Sequence, residues 1–326
     1  MPMTPGQWER TTALTEYEEV KFEKAAERTW EYPKVYGDKK KNGPGDQEIK
    51  GYIWGAFGFP YEREYGEDIP TEQMEEIGEW SLTDVECALG FEVDDRLLED
   101  MRHIQEKEFL NRAGEGIGYS MMQAKCIYAA APFNRAFTTG SGQEMYDGKA
   151  LCADDHPLYR SESPTTIDNK LSAGSPTFSL IWDMLDWHRL SQYTHEGLRK
   201  PSAGVCFMTH DTNRRNVDRI LTQPYEFDGM IDTGGTATGT EFVSSKNVNN
   251  LKNKNLQVVY NIELADTAAS FMFGRRAKRN FKFRMRKNLE SHWEHGRRNR
   301  TRSNFNHMRL MYGVVDHDDF VGRPGS

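Results

Sequence analysis

The sequence predicts an α+β fold, and three observations carry that prediction. Apolar residues recur at every second position over 47–93 and 281–286, the period of strands. They recur at helical spacing over 94–131 and 176–193. Hydrophobic residues make up 37% of the 326, enough for a sizeable core, yet no apolar run approaches the ~18–20 residues of a membrane span.

Residues 1–46 read as an arm. Glu16–Trp30 forms one amphipathic helical piece with Tyr17, Val20, Phe22 and Ala25 as its apolar positions, and Lys39–Gly45 is basic and turn-rich. Over 47–93 the pattern alternates. Ile49, Ile53, Phe57 and Phe59 share one parity, and Tyr52 and Trp54 the other; Thr83, Val85, Cys87, Leu89, Phe91 and Val93 form a second run in phase. The acidic stretch Pro60–Glu79 lies between. This predicts a two-stranded projecting arm with a polar tip, its first strand reaching ~35 Å at ~3.3 Å per residue. An isolated hairpin is marginal in water, so the arm needs a surface to lie on.

The helix over 94–131 starts at Asp94-Asp95 and is expected to weaken or break at Gly114, Gly116 and Gly118. After loops at 138–175, a second helix runs from Pro176 to Tyr193, capped by Ser175, with Phe178, Ile181, Trp182 and Leu185 as its buried stripe. A strand at Val205–Met208 leads to a helix capped by Asp211 that carries Val217, Ile220 and Leu221. A Gly/Thr loop spans 234–239, and strands follow at Leu256–Tyr260 and Ser270–Phe273. In the strand Phe281–Arg286, Phe281, Phe283 and Met285 point one way and Lys282, Arg284 and Arg286 the other. Three like charges on one strand face call for an anionic neighbour. A last strand is expected at Leu310–Val315.

Charge is segregated. The chain carries a net −8, but 62–108 holds 17 acidic against 4 basic residues, and 275–309 holds 13 basic against 2 acidic. Such blocks neutralise each other within one fold, meet across subunits, or leave the basic block facing nucleic acid. The polar, Glu-rich N-terminal stretch lacks the apolar core of a secretory signal. Cys87, Cys126, Cys152 and Cys206 are scattered, which speaks against a disulfide framework or zinc finger and for a reducing compartment.

Candidate chemistry is sparse. Gly114-Glu-Gly116-Ile-Gly118 follows helical pattern instead of a strand, so it is no dinucleotide loop. Cys152-Ala-Asp154-Asp155-His156 brings ligand types together, but turn chemistry explains it without a metal. Asp316, Asp318 and Asp319 are expected to form a solvated turn. No catalytic, cofactor-binding or metal-binding residue is therefore expected.

The order of the elements carries a resemblance. Phe133-Asn-Arg-Ala-Phe137 at the end of the long helix resembles a helix end found in the major capsid proteins of tailed bacteriophages, the Mu-like major head subunits among them. So does Asp147-Gly-Lys-Ala-Leu-Cys152 followed by His156-Pro157, and so does Val205-Cys-Phe-Met208 followed by the Asp211 helix. The series covers roughly 47–315. The resemblance implies the Hong Kong 97-type fold: an N-terminal arm (1–46), an extended hairpin loop (47–93), a peripheral domain with its spine helix and following connection (94–195), an axial domain (196–255), and return strands with a tail (256–326). It implies a non-enzymatic subunit of an icosahedral virion shell around double-stranded DNA, assembled in the host cytoplasm.

The expected partners are copies of the chain in hexamers and pentamers, a portal, a separate scaffold protein, a possible decoration protein, and packaged DNA contacted without sequence preference. No membrane partner and no Lys–Asn cross-link is expected. The contact set predicted from the residues is an apolar anchor, Tyr52, Trp54, Phe57 and Phe59, with an acidic tip, Glu62, Glu64, Glu67, Asp68, Glu72, Glu75 and Glu76. These are expected to meet Lys282, Arg284 and Arg286 of a neighbouring subunit. The alternative is a soluble DNA-binding or DNA-processing protein that uses the basic segment 275–309, with Asp316, Asp318 and Asp319 as its acidic cluster.

Overall fold

The structure, a computed structural model, describes residues 32–37, 48–60, 62–69, 71–100, 103–140, 145–159, 165–222, 251, 254–295 and 301–325. The expected helix at 16–30, the basic stretch at 39–45 and the Gly/Thr loop at 234–239 lie outside them. No described helix is long and apolar enough to cross a membrane.

Two sheets organise the chain. In the first, β1 (Glu48–Trp54) pairs antiparallel with the start of β2 (Glu76–Asp94), from Glu48 opposite Thr83 to Trp54 opposite Glu76. The 19 residues of β2 span about 60 Å at ~3.3 Å per residue. Its second half, Asp84–Asp94, pairs with β9 (Thr301–Val314), and β9 pairs with β8 (Phe281–His295). The order is β1-β2-β9-β8. The hairpin is thus present, but half of its second strand belongs to the body. β8 and β9 are also longer than expected, running on from Arg286 to His295 and beginning at Thr301 instead of Leu310. The extra stretches, 287–295 and 301–309, are mostly polar, so pairing extends them where apolar alternation does not. Asn304 and Asn306 are buried there, and Asn304 Nδ2 donates to Ser291 Oγ at 3.0 Å.

In the second sheet, β5 (Gly204–His210) lies parallel to β6 (Gln257–Asn261) and antiparallel to β7 (Ser270–Gly274), which pairs in turn with β10 (Phe320–Arg323). The order is β10-β7-β5-β6. The boundary expected at 255/256 divides this sheet, because β6, β7 and β10 all follow it. A two-residue ladder, β3 (His156–Pro157) with β4 (Thr166–Ile167), completes the strands.

After the short α1 (Asp95–Asp100) comes α2 (His103–Asn134), 32 residues and about 48 Å at ~1.5 Å per residue. It runs unbroken through the three glycines. Gly114 and Gly118 lie one turn apart and are buried along with Leu110, Ile117 and Met121, while Gly116 is exposed. Packing outweighs the ~1 kcal/mol that each glycine costs a helix. α3 (Phe178–Asp186) begins two residues later than expected. Thr177, extended at φ −118°, caps it by accepting from Leu180 N at 3.3 Å, and a wide π-helical turn, Trp187–Ser191, closes it. α4 (Arg214–Thr222) is preceded by a turn in which the His210 ring, not Asp211, accepts from Thr212 N at 3.1 Å. Asp211 instead pairs with Arg214 at 3.4 Å.

Alternation across the second sheet explains the layers. Cys206, Met208, Phe271, Phe273 and Phe320 face the cluster around α2 and β8, whereas Phe207, Met272 and Val321 face Ile181, Met184 and Val217 of α3 and α4. Phe133 is the hub where the sheets meet. Its ring stacks on Phe281 at 5.4 Å and touches Phe271 at 5.5 Å and Phe273 at 5.8 Å. Tyr32, Val35 and Tyr36 insert beside it, with the Tyr36 hydroxyl donating to Ala129 O at 2.7 Å. Part of the N-terminal arm region is therefore core.

Candidate functional site

The arm leaves the body with its apolar side chains uncovered. Tyr52, Trp54, Phe57 and Phe59 are exposed, as are Tyr65, Ile69 and Met74 beyond them. A groove of about 570 Å³ runs among Phe57, Phe59, Pro60, Arg63, Ile69 and Glu72. The tip residues Glu62, Glu64, Glu67, Asp68, Glu72, Glu75 and Glu76 are exposed too. Several brace the loop locally. Gly58 N donates to Glu72 at 3.0 Å, Glu64 N to Glu67 at 3.2 Å, and the Tyr159 hydroxyl to Glu75.

The base of the arm is fixed from the body. Glu196 accepts from Ala56 N, and Gly55 N donates to Glu75 O at 2.8 Å. Gly78 presses on the Tyr146 ring, where a Cβ would stand 2.6 Å from a ring carbon. Only glycine allows that approach.

The charge blocks meet partly within the chain. Arg286 Nη1 lies 2.5 Å from Asp84 Oδ2, both side chains being largely buried, and Arg309 grips Glu86 at 2.8 and 3.0 Å. Arg286 is therefore engaged by the acidic residues of its own β2, because β9 brings β8 and β2 together. Lys282 and Arg284 lie on the same strand and are half-buried. The acidic tip at 62–76 does not join these pairs among the described contacts.

A second assembly of side chains lies between the two sheets, and the sequence reading missed most of it. The turn at 316–319 is not solvated; Asp316, His317 and Asp319 are buried. His195 Nε2 lies 3.0 Å from Asp316, and the Tyr146 hydroxyl 3.1 Å from His195 Nδ1. Asp147 holds His156 Nδ1 at 2.6 Å, and the His156 and His317 rings stack in parallel at 3.9 Å. Asp318 takes Lys200 and, at 2.9 Å, Gln192 Nε2. Asp319, in the left-handed region at φ 62°, faces His188 at 3.2 Å and accepts from Arg276 N at 2.6 Å.

Burial alone would raise the Asp316 carboxyl, but the hydrogen bond and charge of His195 outweigh it and hold Asp316 low. Burial would lower His195, and Asp316 outweighs it in the same way, so His195 ends above its ordinary value. His317 lacks such a bond. Burial, with His156 next to it, pushes it down to about 3, leaving a neutral ring at pH 7.

Among the described residues two groups with metal-ligating chemistry result, Asp147–His156–His317 and His195–Asp316–His317. Each group joins positions more than a hundred apart, so no single motif marks either one; the local hints were His156 in the Cys152–His156 run and the aspartates at 316, 318 and 319. Cys152 is not a partner of His156. It is buried against Gly322, and burial pushes its thiol up, away from nucleophilic character.

No family model matches the sequence, and no curated protein matches it. Solved structures do match the fold. A chain from Mycobacterium phage Patience aligns with a TM-score of 0.53 at 10% identity, over 97% of this chain and 86% of that one. The capsid of the Cyanophage P-SCSP1u aligns at 0.52 with 10% identity, over 90% and 86%. The capsid of a native GTA particle aligns at 0.50 with 12% identity, over 93% and 90%. Over at least nine-tenths of its length, this chain therefore has the mixed α+β fold of phage and GTA capsid structures.

Proposed function

We propose that the chain is a structural protein, the major head subunit of a tailed bacteriophage. It assembles through hexamers and pentamers into an icosahedral shell around double-stranded DNA. The observation that carries this reading is the arm: a hairpin continuous with the body sheet, braced at its base by Glu196 and Tyr146, with four large apolar side chains turned outward. Exposed apolar surface of this kind marks an interaction site. A hairpin that buries it on a neighbour makes every subunit both donor and acceptor of one contact, as a closed shell requires. The capsid fold of the solved structures supports the same reading.

Within it, 47–93 is the extended loop, α2 the spine helix of a peripheral domain, and the unit around β5 the axial domain. The Mu-like type is the subtype we assign, from Phe133–Phe137, Asp147–Cys152 and His156-Pro157. The acidic tip seats on a basic neighbour surface that includes Lys282 and Arg284; surface pairs worth ~0–1 kcal/mol each set register more than strength. Portal, separate scaffold and decoration proteins complete the partner set, and packaged DNA meets basic side chains through its phosphates. The DNA-processing alternative required an open acidic cluster, whereas Asp318 and Asp319 are engaged by Lys200, Gln192 and His188.

Light scattering with negative-stain imaging of the purified chain at micromolar concentration tests the proposal. Shells, sheets or free hexamers and pentamers support it. A monomer or dimer that persists with added crowding agent overturns it.

A further inference from the structure

The His195–Asp316–His317 group has features that a hydrogen-bonded pair does not explain. His317 is 3% exposed, and its Nδ1 has no hydrogen-bond partner although it lies 3.4 Å from Asp316 Oδ1. Buried polar nitrogens are rarely left so. The Asp316 carboxylate presents one oxygen to His195 Nε2 at 3.0 Å and the other to this nitrogen. Two ligand atoms bound at ~2.0–2.1 Å to a tetrahedral zinc ion stand about 3.3 Å apart. The separations on the two sides of the carboxylate are of that order, and the ligand atoms of all three residues lie within 4.8 Å of one another. Next to the two rings is a cavity of about 10 Å³, lined by Leu158, Ile167, Gln192, His195 and His317, about the size of one water. The outer shell is in place as well. The Tyr146 hydroxyl sits 3.1 Å from His195 Nδ1, the orienting contact that metal-bound imidazoles usually make.

We propose that His195 Nε2, Asp316 and His317 Nδ1 bind one divalent transition-metal ion, zinc by donor type. Two imidazole nitrogens and a carboxylate oxygen suit zinc and its neighbours over magnesium or calcium. The ion clips the loop at 193–199 to the turn between β9 and β10. Glu196, next to His195, holds Ala56 at the base of the arm, and Tyr146 holds both His195 and Gly78. The site therefore stands at the root of the arm and makes arm placement sensitive to the metal. This inference goes beyond the capsid reading and does not depend on it.

The experiment titrates the full-length metal-stripped chain with Co²⁺ alone, following visible absorption. The expected result is one Co²⁺ per chain in a four-coordinate spectrum, displaced by Zn²⁺. Affinity should fall at least ~100-fold in His195→Gln and Asp316→Asn and stay unchanged in His210→Gln, which alters a histidine elsewhere. Circular dichroism establishes that each variant is folded. Should the site variants unfold, zinc-edge absorption of the unaltered zinc-loaded chain decides, with two imidazoles and oxygen at ~2.0–2.1 Å as the expected shell. Fewer than about 0.2 equivalents of Co²⁺ on the folded wild type, equal binding by folded His195→Gln, or a shell with one or no imidazole overturns the proposal.

Discussion

Replacing Phe57 and Phe59 together by serine separates assembly from folding. Burying a phenylalanine side chain fully is worth ~1.5–3 kcal/mol. Phe59 is 77% exposed and Phe57 53%, so the two retain 1.3 side chains' worth of surface still to bury. Docking on a neighbour then gains ~2–4 kcal/mol per arm from these residues. With one arm given per subunit, the double variant raises the concentration at which shells appear by ~30- to 1,000-fold. Because both side chains are already more than half exposed, folding of the unassembled chain loses no more than ~1–2 kcal/mol. The assay is light scattering against protein concentration, paired with denaturant melts of the unassembled chain. An unchanged assembly threshold refutes the docking argument, and a folding loss well beyond ~2 kcal/mol refutes the claim that the two rings are mostly uncovered in the free subunit.

Phe133→Ala empties the aromatic hub and costs about 3–5 kcal/mol in chemical denaturation; a loss under 1 kcal/mol would mean that the hub collapses around the gap. Arg286→Glu puts a second carboxylate beside Asp84 and destabilises the fold by about 3–5 kcal/mol, with Asp84→Arg in the same chain restoring most of it, as a double-mutant cycle would show. In the folded chain Cys152 and Cys206 resist a thiol reagent and react only after unfolding. Burial and the nearby Glu263 push Cys126 up to about 11, so it carries roughly 100-fold less thiolate at pH 8 than a thiol at its ordinary value. Its alkylation rate accordingly keeps climbing past pH 9; a plateau there would contradict the burial.

The sequence reading found what local periodicity encodes. Ile49 to Trp54 and Thr83 to Val93 are strands as their alternation predicts, although the second run pairs with β9 and the hairpin partner of β1 is Glu76–Thr83, whose first residues read as acidic connection; Ile181 with Trp182 placed the second helix. The wide helix turn at 187–191 and the true caps, Thr177 and His210, depend on backbone angles that tertiary packing chooses. The polar halves of β8 and β9 carry no apolar alternation, because neighbouring strands hold them in place by pairing. Arg286 reads from sequence as a contact of a neighbouring subunit, yet it answers to Asp84, two hundred residues earlier, across an intervening strand. The buried carboxylates and imidazoles were illegible for the same reason. Asp316 reads as a turn residue until His195 stands beside it, and only the folded chain brings the two together.

The position of β10 has a consequence for synthesis. Phe320 is fully buried in the aromatic hub, and its strand covers the edge of β7. Every other described strand leaves the ribosome before it. Until β10 arrives, the β7 edge and the rings of Phe271 and Phe273 lack their cover, so the nascent chain remains a client for chaperones. A polypeptide interrupted anywhere upstream stays in that state and is open to proteolysis. Completion of the second sheet thus waits for the last described strand, so only a chain translated through Arg323 can seal it.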